Sequence, residues 1–207
     1  AVSVRPAQRT GRRLARYLSL DDFRKAARRR LPRMLFGFVD GAVETQSGKT
    51  DARDAFRDYS LIPNHLIDVS QRTPEVTLMG QSYAAPFGIA PLGGAAIVAH
   101  DGDRVLARAA RDCGVPMILS ASSLTRLEDI YKEYPQAWFQ GYLPGDDRRI
   151  DAMLRRISSV GFKTLVITAD TPVPGNRENN LRSGFSMPMR ISPRVMWDSV
   201  THPRWLL

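Results

Sequence analysis

The 207 residues, 43% of them apolar, suffice for one or at most two domains with a substantial buried core, which excludes a disordered tail. A formal charge of +9 raises nucleic acid or an anionic membrane surface as partners, but residues 1–33 hold eleven Lys or Arg against two acids and the remainder holds nineteen of each. The globular body is therefore neutral, and nucleic-acid binding is disfavoured because the charge is confined and no run of aromatics is interleaved with it.

The excess belongs to a basic arm, residues 1–19, with five Arg and no acid. Three readings stay open for it: an Arg-rich organelle-targeting segment, a polybasic surface anchor, and a solvated extension, of which the last is preferred because no heptads accompany the charge. The arm has no secretory apolar stretch, and no apolar run in the chain approaches the roughly 18 residues that span a bilayer. A single cysteine, Cys113, excludes an intrachain disulfide framework and fits a reducing compartment; beside Ala109 and Ala110 on a predicted helix, it is expected to pack.

Residues 20–83 read as N-terminal helices and a connector. Ser19 with Asp22 forms a capping pair before a helix carrying Phe23, Ala26, Ala27 and Leu31. Pro32 interrupts it and opens a second short helix, RMLFGFV, which Gly41 ends. Residues 60–82 form a connector rich in Pro and β-branched residues, in which VTLMGQSY reads as a small hairpin.

From residue 84 to the end a pattern repeats: apolar strand, polar turn, amphipathic helix. The predicted strands are 86–92, 116–122, 137–143 and 163–170, and the intervening segments 101–114, 123–135 and 146–161 have helical spacing. Alternation on this scale predicts βαβ units, hence a parallel sheet covered by helices with right-handed crossovers. Each strand is apolar inside and polar at its C-terminal end: PLGG, Ser120, Gln140 with Tyr142, and Thr168 with Asp170. Strand side chains alternate, so Gln140 and Tyr142 share one face, as do Thr168 and Asp170. The carboxyl rim of a parallel sheet is where such folds build ligand sites. Taken singly, Ser120 and Thr168 are better explained by bonds to turn backbone, while capping is the alternative for Asp170 and a solvated surface charge for Arg177. The coincidence over four strands favours a site. A glycine pair that admits a flat surface, with neutral Ser, Gln and Thr, suits a planar ligand with a polar edge. Neither GxGxxG at the first turn nor GxxxxGK[ST] is present, and no metal site is expected.

The segments LPRMLFGFVDGAVE, FGIAPLGG, GVPMILSASS, WFQGYLPGDDRR and TLVITADTPVPGNRENNLRSGFSMP resemble, in order and from about residue 20 to the end, the FMN-dependent α-hydroxy acid oxidases and dehydrogenases. The resemblance implies an α/β fold, the N-terminal half of a TIM (β/α)8 barrel preceded by short helices and a small hairpin, with FMN at the C-terminal rim. It places flavin contacts on Pro91, Leu92, Gly93, Ser120, Gln140, Tyr142 and Thr168. It gives Tyr142 a second role toward substrate, Arg177 the substrate carboxylate, and Asp170 the support of a catalytic histidine. The implied reaction oxidises an L-2-hydroxy acid to the 2-oxo acid, with hydride passing to flavin and then to oxygen, a quinone or a cytochrome.

Two positions depart from the pattern: Phe38 stands where the family carries a substrate-facing tyrosine, and Ser122 where some members carry a bulky aromatic. None of the three histidines (His65, His100, His202) sits at a strand end as the family's base does, so the resemblance implies an N-terminal portion inactive by itself and a homo-oligomer when full length. A noncatalytic half-barrel acting as an assembly module is the alternative, its sheet edges needing a partner. The expected location is cytoplasmic. Two readings stay open for the tail after residue 185: peripheral attachment at the inner membrane, suggested by its Trp and Arg residues, or a mobile active-site loop.

Overall fold

The computed structural model describes residues 14–143, 145–170 and 173–206. In chain order the elements are α1 (Leu20–Arg30), α2 (Arg33–Asp40), α3 (Ser47–Asp54), a 3-10 turn (Ala55–Asp58), β1 (Val76–Leu78), β2 (Gln81–Tyr83), α4 (Ala95–Val98), α5 (Gly102–Cys113), β3 (Ile118–Ser120), α6 (Leu127–Glu133), β4 (Trp138–Gly141), α7 (Asp147–Val160), β5 (Leu165–Ile167), α8 (Glu178–Ser183), α9 (Pro193–Val200) and α10 (Pro203–Leu206). The described residues fall into two compact units, one of residues 71–170 and a helical one of 14–70 with 173–206.

In the helical unit, α1 starts where the capping pair predicts. The Asp22 carboxylate accepts from the backbone N–H of Leu18 at 3.0 Å and of Ser19 at 3.2 Å. The Leu18 bond above all holds Asp22 below the usual carboxylate range. Pro32 separates α1 from α2, and Gly41 closes α2. Helix α2 buries Met34 and Leu35, and α8 packs across it: the Asn179 amide donates to the Gly37 carbonyl, and Phe38 stacks on Phe185 with ring centroids 4.1 Å apart. The tail, expected as a loop, carries α9, whose signal was legible: the Ser192 hydroxyl accepts from the Val195 N–H at 3.2 Å and Pro193 occupies the first turn.

The other unit opens with the predicted hairpin, β1 and β2 antiparallel with Val76 opposite Tyr83; both turn residues, Met79 and Gly80, have positive φ. Next comes a parallel sheet in sequential order, β3–β4–β5, registering Ser120 with Gln140 and Gln140 with Val166. Its core is one cluster: Ala107 and Ala110 of α5, Ile130 of α6 and Ile157 of α7 close on Met117, Leu119 and Phe139. Arg104–Asp129 at 3.0 Å and Arg108–Glu133 at 2.6 Å link α5 to α6, and Arg156–Glu128 at 2.9 Å links α6 to α7. The Arg156 guanidinium takes the Glu128 carboxyl down to about 2, and the hydrogen bond from Arg108 holds Glu133 below the usual carboxylate range. These pairs lie at the surface, so they set how the helices orient more than how stable they are.

Two expectations need correction. The segment 86–92 is not a strand: it meets the sheet at a single parallel bridge, Ile89 to Met117, with Ile89 N–H donating to the Pro116 carbonyl at 2.8 Å and accepting from Ile118 N–H at 3.0 Å. Pro86 and Pro91 lack the N–H that a longer ladder would use. Cys113 is exposed rather than packed, because it is the last residue of α5 and Gly114 turns the chain before the core layer can cover it. Among the described residues the parallel sheet is open, with three strands and the bridge, and no half-barrel is shown directly.

Candidate functional site

The parallel register brings three of the predicted polar residues together. β3 and β4 pair Ser120 with Gln140, and Thr168 follows β5 two residues after Val166, the partner of Gln140. The Ser120 hydroxyl donates to Gln140 Oε1 at 3.2 Å, and Gln140 Nε2 donates to Thr168 Oγ1 at 2.8 Å. Inward alternation explains why this chain is polar: Leu119 and Phe139 face the helices, and Ser120 and Gln140 take the opposite face. Gln140 is only 1% exposed and Ser120 5%. An amide so buried must be satisfied, and it is: Oε1 also lies 3.4 Å from Ala121 N–H.

Ser120 Oγ accepts from Ser122 N–H at 3.1 Å, so the turn-backbone role foreseen for it is present alongside the bond to Gln140. With its hydrogen spent on Gln140, Ser120 orients the amide. Thr168 differs: its oxygen accepts from Gln140, which frees its own hydrogen to donate outward, and Gln140 Nε2 keeps a second hydrogen. The array therefore presents neutral donors at the ends of adjacent strands.

The PLGG loop adjoins this array. Gly94 N–H donates to the Ser122 carbonyl at 3.2 Å, and a Cβ on Gly93 would come within 3.1 Å of Ser122 Cβ. Leu92 is 50% exposed and Pro91 partly so. Tyr142 follows the last residue of β4 and is 47% exposed, and the Thr168 N–H donates to the Gly141 carbonyl at 3.1 Å, so Tyr142 and Thr168 leave the sheet side by side. Asp170 is exposed two residues beyond. The remaining two residues belong to the helical unit. Arg177 is exposed immediately before α8, and Phe38 lies on α2, its ring against Phe185. Among the described residues neither Asp170 nor Arg177 makes an ion pair with another side chain.

Sequence reasoning passed over one buried group, Asp103, 2% exposed at the start of α5. The Thr125 hydroxyl donates to it at 3.1 Å, which ties the turn after β3 to α5. Its signal, an acid in the first turn of a helix, is indistinguishable in sequence from ordinary capping. His100, which belongs to the same unit, has a side chain 93% exposed beside Asp101 at 3.9 Å.

Comparison with known proteins identifies the family. The model of the FMN-dependent dehydrogenase family matches residues 27–207. The (S)-mandelate dehydrogenase of Pseudomonas putida is 34% identical over 190 residues, which are 91% of this chain and 48% of that protein. An L-lactate dehydrogenase of Caulobacter vibrioides is 37% identical over 188 residues, 90% of this chain and 49% of that protein. Among solved structures, the monotopic membrane protein (S)-mandelate dehydrogenase superposes with a TM-score of 0.85 at 34% identity, over 90% of this chain and 50% of that one. The chain thus spans about half the length of the relatives it matches. FMN is the cofactor of this family. With a family match over residues 27–207 and relatives more than 30% identical over about nine-tenths of its length, the chain belongs to the FMN-dependent dehydrogenases.

Proposed function

We propose that this chain is the N-terminal half of a (β/α)8 barrel that oxidises an L-2-hydroxy acid, of lactate, glycolate or mandelate type, to the 2-oxo acid. The observation that carries the reading is the Ser120–Gln140–Thr168 chain of hydrogen bonds across successive strand ends. Its residues fit FMN: an isoalloxazine edge has carbonyl and ring-nitrogen acceptors, and the free hydrogens of Thr168 and Gln140 are neutral donors suited to them. Pro91, partly exposed, with Leu92 and Gly93, both exposed, forms a stretch suited to the flat ring. When bound, FMN supplies the hydride acceptor.

The remaining roles follow from side-chain chemistry. The Tyr142 hydroxyl donates to the substrate beside the flavin, and Arg177 offers a fork of N–H donors to a carboxylate. Asp170 accepts from an imidazole and favours its protonated form, so it supports a histidine that takes the substrate hydroxyl proton. His100 faces solvent and does not serve, so the base is assigned to the part of the relatives that this chain does not match. Phe38 presents no hydroxyl to substrate. The expected result is that the 207-residue polypeptide, given FMN and L-lactate, glycolate or mandelate, shows no flavin bleaching under anaerobiosis. The polypeptide extended to family length bleaches with at least one of them. Turnover by the short chain, or a colourless extended protein, would overturn the reading.

Peripheral membrane contact through the tail belongs to the same proposal, as does a homo-oligomer of the extended protein reoxidised by oxygen, a quinone or a cytochrome. Among the described residues no helix is long and apolar enough to cross a membrane. Around α9, Ile191 is 76%, Met196 59% and Trp197 73% exposed, with Arg190 and Arg194 beside them. Replacing Met196 and Trp197 by Ser is expected to lower cosedimentation with vesicles of phosphatidylcholine and phosphatidylglycerol severalfold; undiminished cosedimentation counts against tail-mediated attachment.

A further inference from the structure

We propose that a groove between α1 and α10, within the helical unit, is a binding site for multiply charged phosphate esters. The groove, about 710 Å³, is lined by Arg16, Lys25, Arg29, Arg30 and Arg204, five cations drawn from three separate stretches of chain. A single carboxylate, Asp22, lines it. That carboxylate is already occupied by the Leu18 and Ser19 N–H groups and by Lys25 at 3.4 Å. Among the described residues Arg16, Arg29, Arg30 and Arg204 have no carboxylate partner, in contrast to Arg24, Arg53 and Lys49, which pair with Asp40 or Asp21.

Basic residues in the last turn of a helix have an ordinary explanation, since they oppose the negative end of its dipole. That accounts for Arg29 and Arg30 but not for Arg16, which precedes α1, nor for Arg204, which belongs to α10. Convergence of like charges from separate elements costs stability unless an anion sits among them. The groove lining also holds an aromatic pair: Tyr17 stacks on Phe23 with centroids 4.6 Å apart, and the Arg16 guanidinium lies 5.1 Å from the Tyr17 centroid while donating to its hydroxyl at 3.0 Å. Arg16 is thereby held at the rim. Four guanidinium forks and one ammonium match a ligand with several phosphate oxygens better than a single carboxylate, so the substrate of the flavin site is not the expected occupant.

The chemistry is that of phosphate oxygens, supplied either by a soluble ester or by lipid headgroups, and two probes separate these sources. Sodium tripolyphosphate, titrated into the 207-residue chain, is expected to bind with an affinity that falls steeply with salt and to raise the melting temperature. Flotation with vesicles of phosphatidylcholine, with and without phosphatidylglycerol, tests the headgroup source. The triple replacement of Arg29, Arg30 and Arg204 by Gln is expected to weaken whichever binding is observed by at least about tenfold, given the usual worth of hydrogen bonds to charged groups. The same variant should melt close to the parent without ligand, since the repulsion it relieves offsets the helix-end interactions that Arg29 and Arg30 lose. Replacing Arg190 and Arg194, cations outside the groove, is the control and leaves tripolyphosphate affinity unchanged. Binding of tripolyphosphate alone assigns a soluble ester, and binding of anionic vesicles alone, weakened in the triple variant, assigns headgroups. Absence of both, or a triple variant that binds like the parent, overturns the site.

Discussion

Replacing Gln140 by Leu is expected to destabilise the chain by about 1–3 kcal/mol and, in the extended protein, to weaken FMN binding at least about tenfold. The two effects have one origin. Leu fills the volume but leaves the Ser120 hydroxyl without the acceptor it now has at 3.2 Å and Thr168 without the donor it has at 2.8 Å. Ser120 is 5% exposed, so water cannot make good the loss. The Thr168 hydrogen is then free to turn inward, and the outward donor is lost as well. Urea unfolding followed by circular dichroism reads the first effect, and titration of flavin fluorescence the second. A cycle with Thr168→Val isolates the network: if the two side chains act as one array, the double variant loses clearly less than the sum of the singles. Strict additivity would mean that Gln140 is a packed core amide with no part in positioning Thr168.

What the sequence makes legible is periodicity and the chemistry of strand ends. The apolar runs around Ile118, Trp138 and Leu165 form parallel strands in the predicted order, and Ser120, Gln140 and Thr168 meet as the alternation requires. Local signals with a mechanism also hold: the Ser19–Asp22 pair, the stop at Gly41 and the Met79–Gly80 turn. Lengths are less legible. The strands shrink to three or four residues because the flanking polar positions are drawn into turns, where Ser122 N–H bonds Ser120 rather than a neighbouring strand.

Long-range partners are not legible in periodicity at all. No pattern announces that Asn179 reaches Gly37 across 142 residues or that Phe38 lies on Phe185. The arm's one aromatic, Tyr17, is read in sequence as part of a solvated extension, yet it stacks on Phe23 of α1. Charge is legible as a total but not as a place: the excess in residues 1–33 gives no hint that Arg204, from the far end of the chain, joins it.

The bridge at Ile89 shows the same limit and supports the second large effect: Gly88→Ala is expected to destabilise the chain by about 3 kcal/mol, the upper part of the range for overpacked sites. The backbone of Gly88 has no positive φ, so alanine's conformational preference is not the obstacle. The obstacle is the Pro116 carbonyl: an added Cβ would overlap its oxygen and lie 2.9 Å from its carbon, and backbone, unlike a side-chain tip, cannot swing aside. The same carbonyl accepts the Ile89 N–H at 2.8 Å, so relief of the clash must strain or break one of the two hydrogen bonds of the bridge by which the 86–92 segment joins the sheet. Hydrogen exchange locates the damage, since Ile118 N–H, which donates to the Ile89 carbonyl at 3.0 Å, should exchange faster by orders of magnitude while Phe139 N–H, bonded to Thr164, keeps most of its relative protection. Gly48→Ala, on α3 with open space around its Cβ, is the control and should be neutral or stabilising by up to about 1 kcal/mol. Because the released segment carries Pro91, Leu92 and Gly93, the extended Gly88→Ala protein should also lose FMN affinity although Gly88 itself is given no contact with the cofactor. A variant as stable as its parent would show that the bridge contributes nothing to holding that loop beside Ser122.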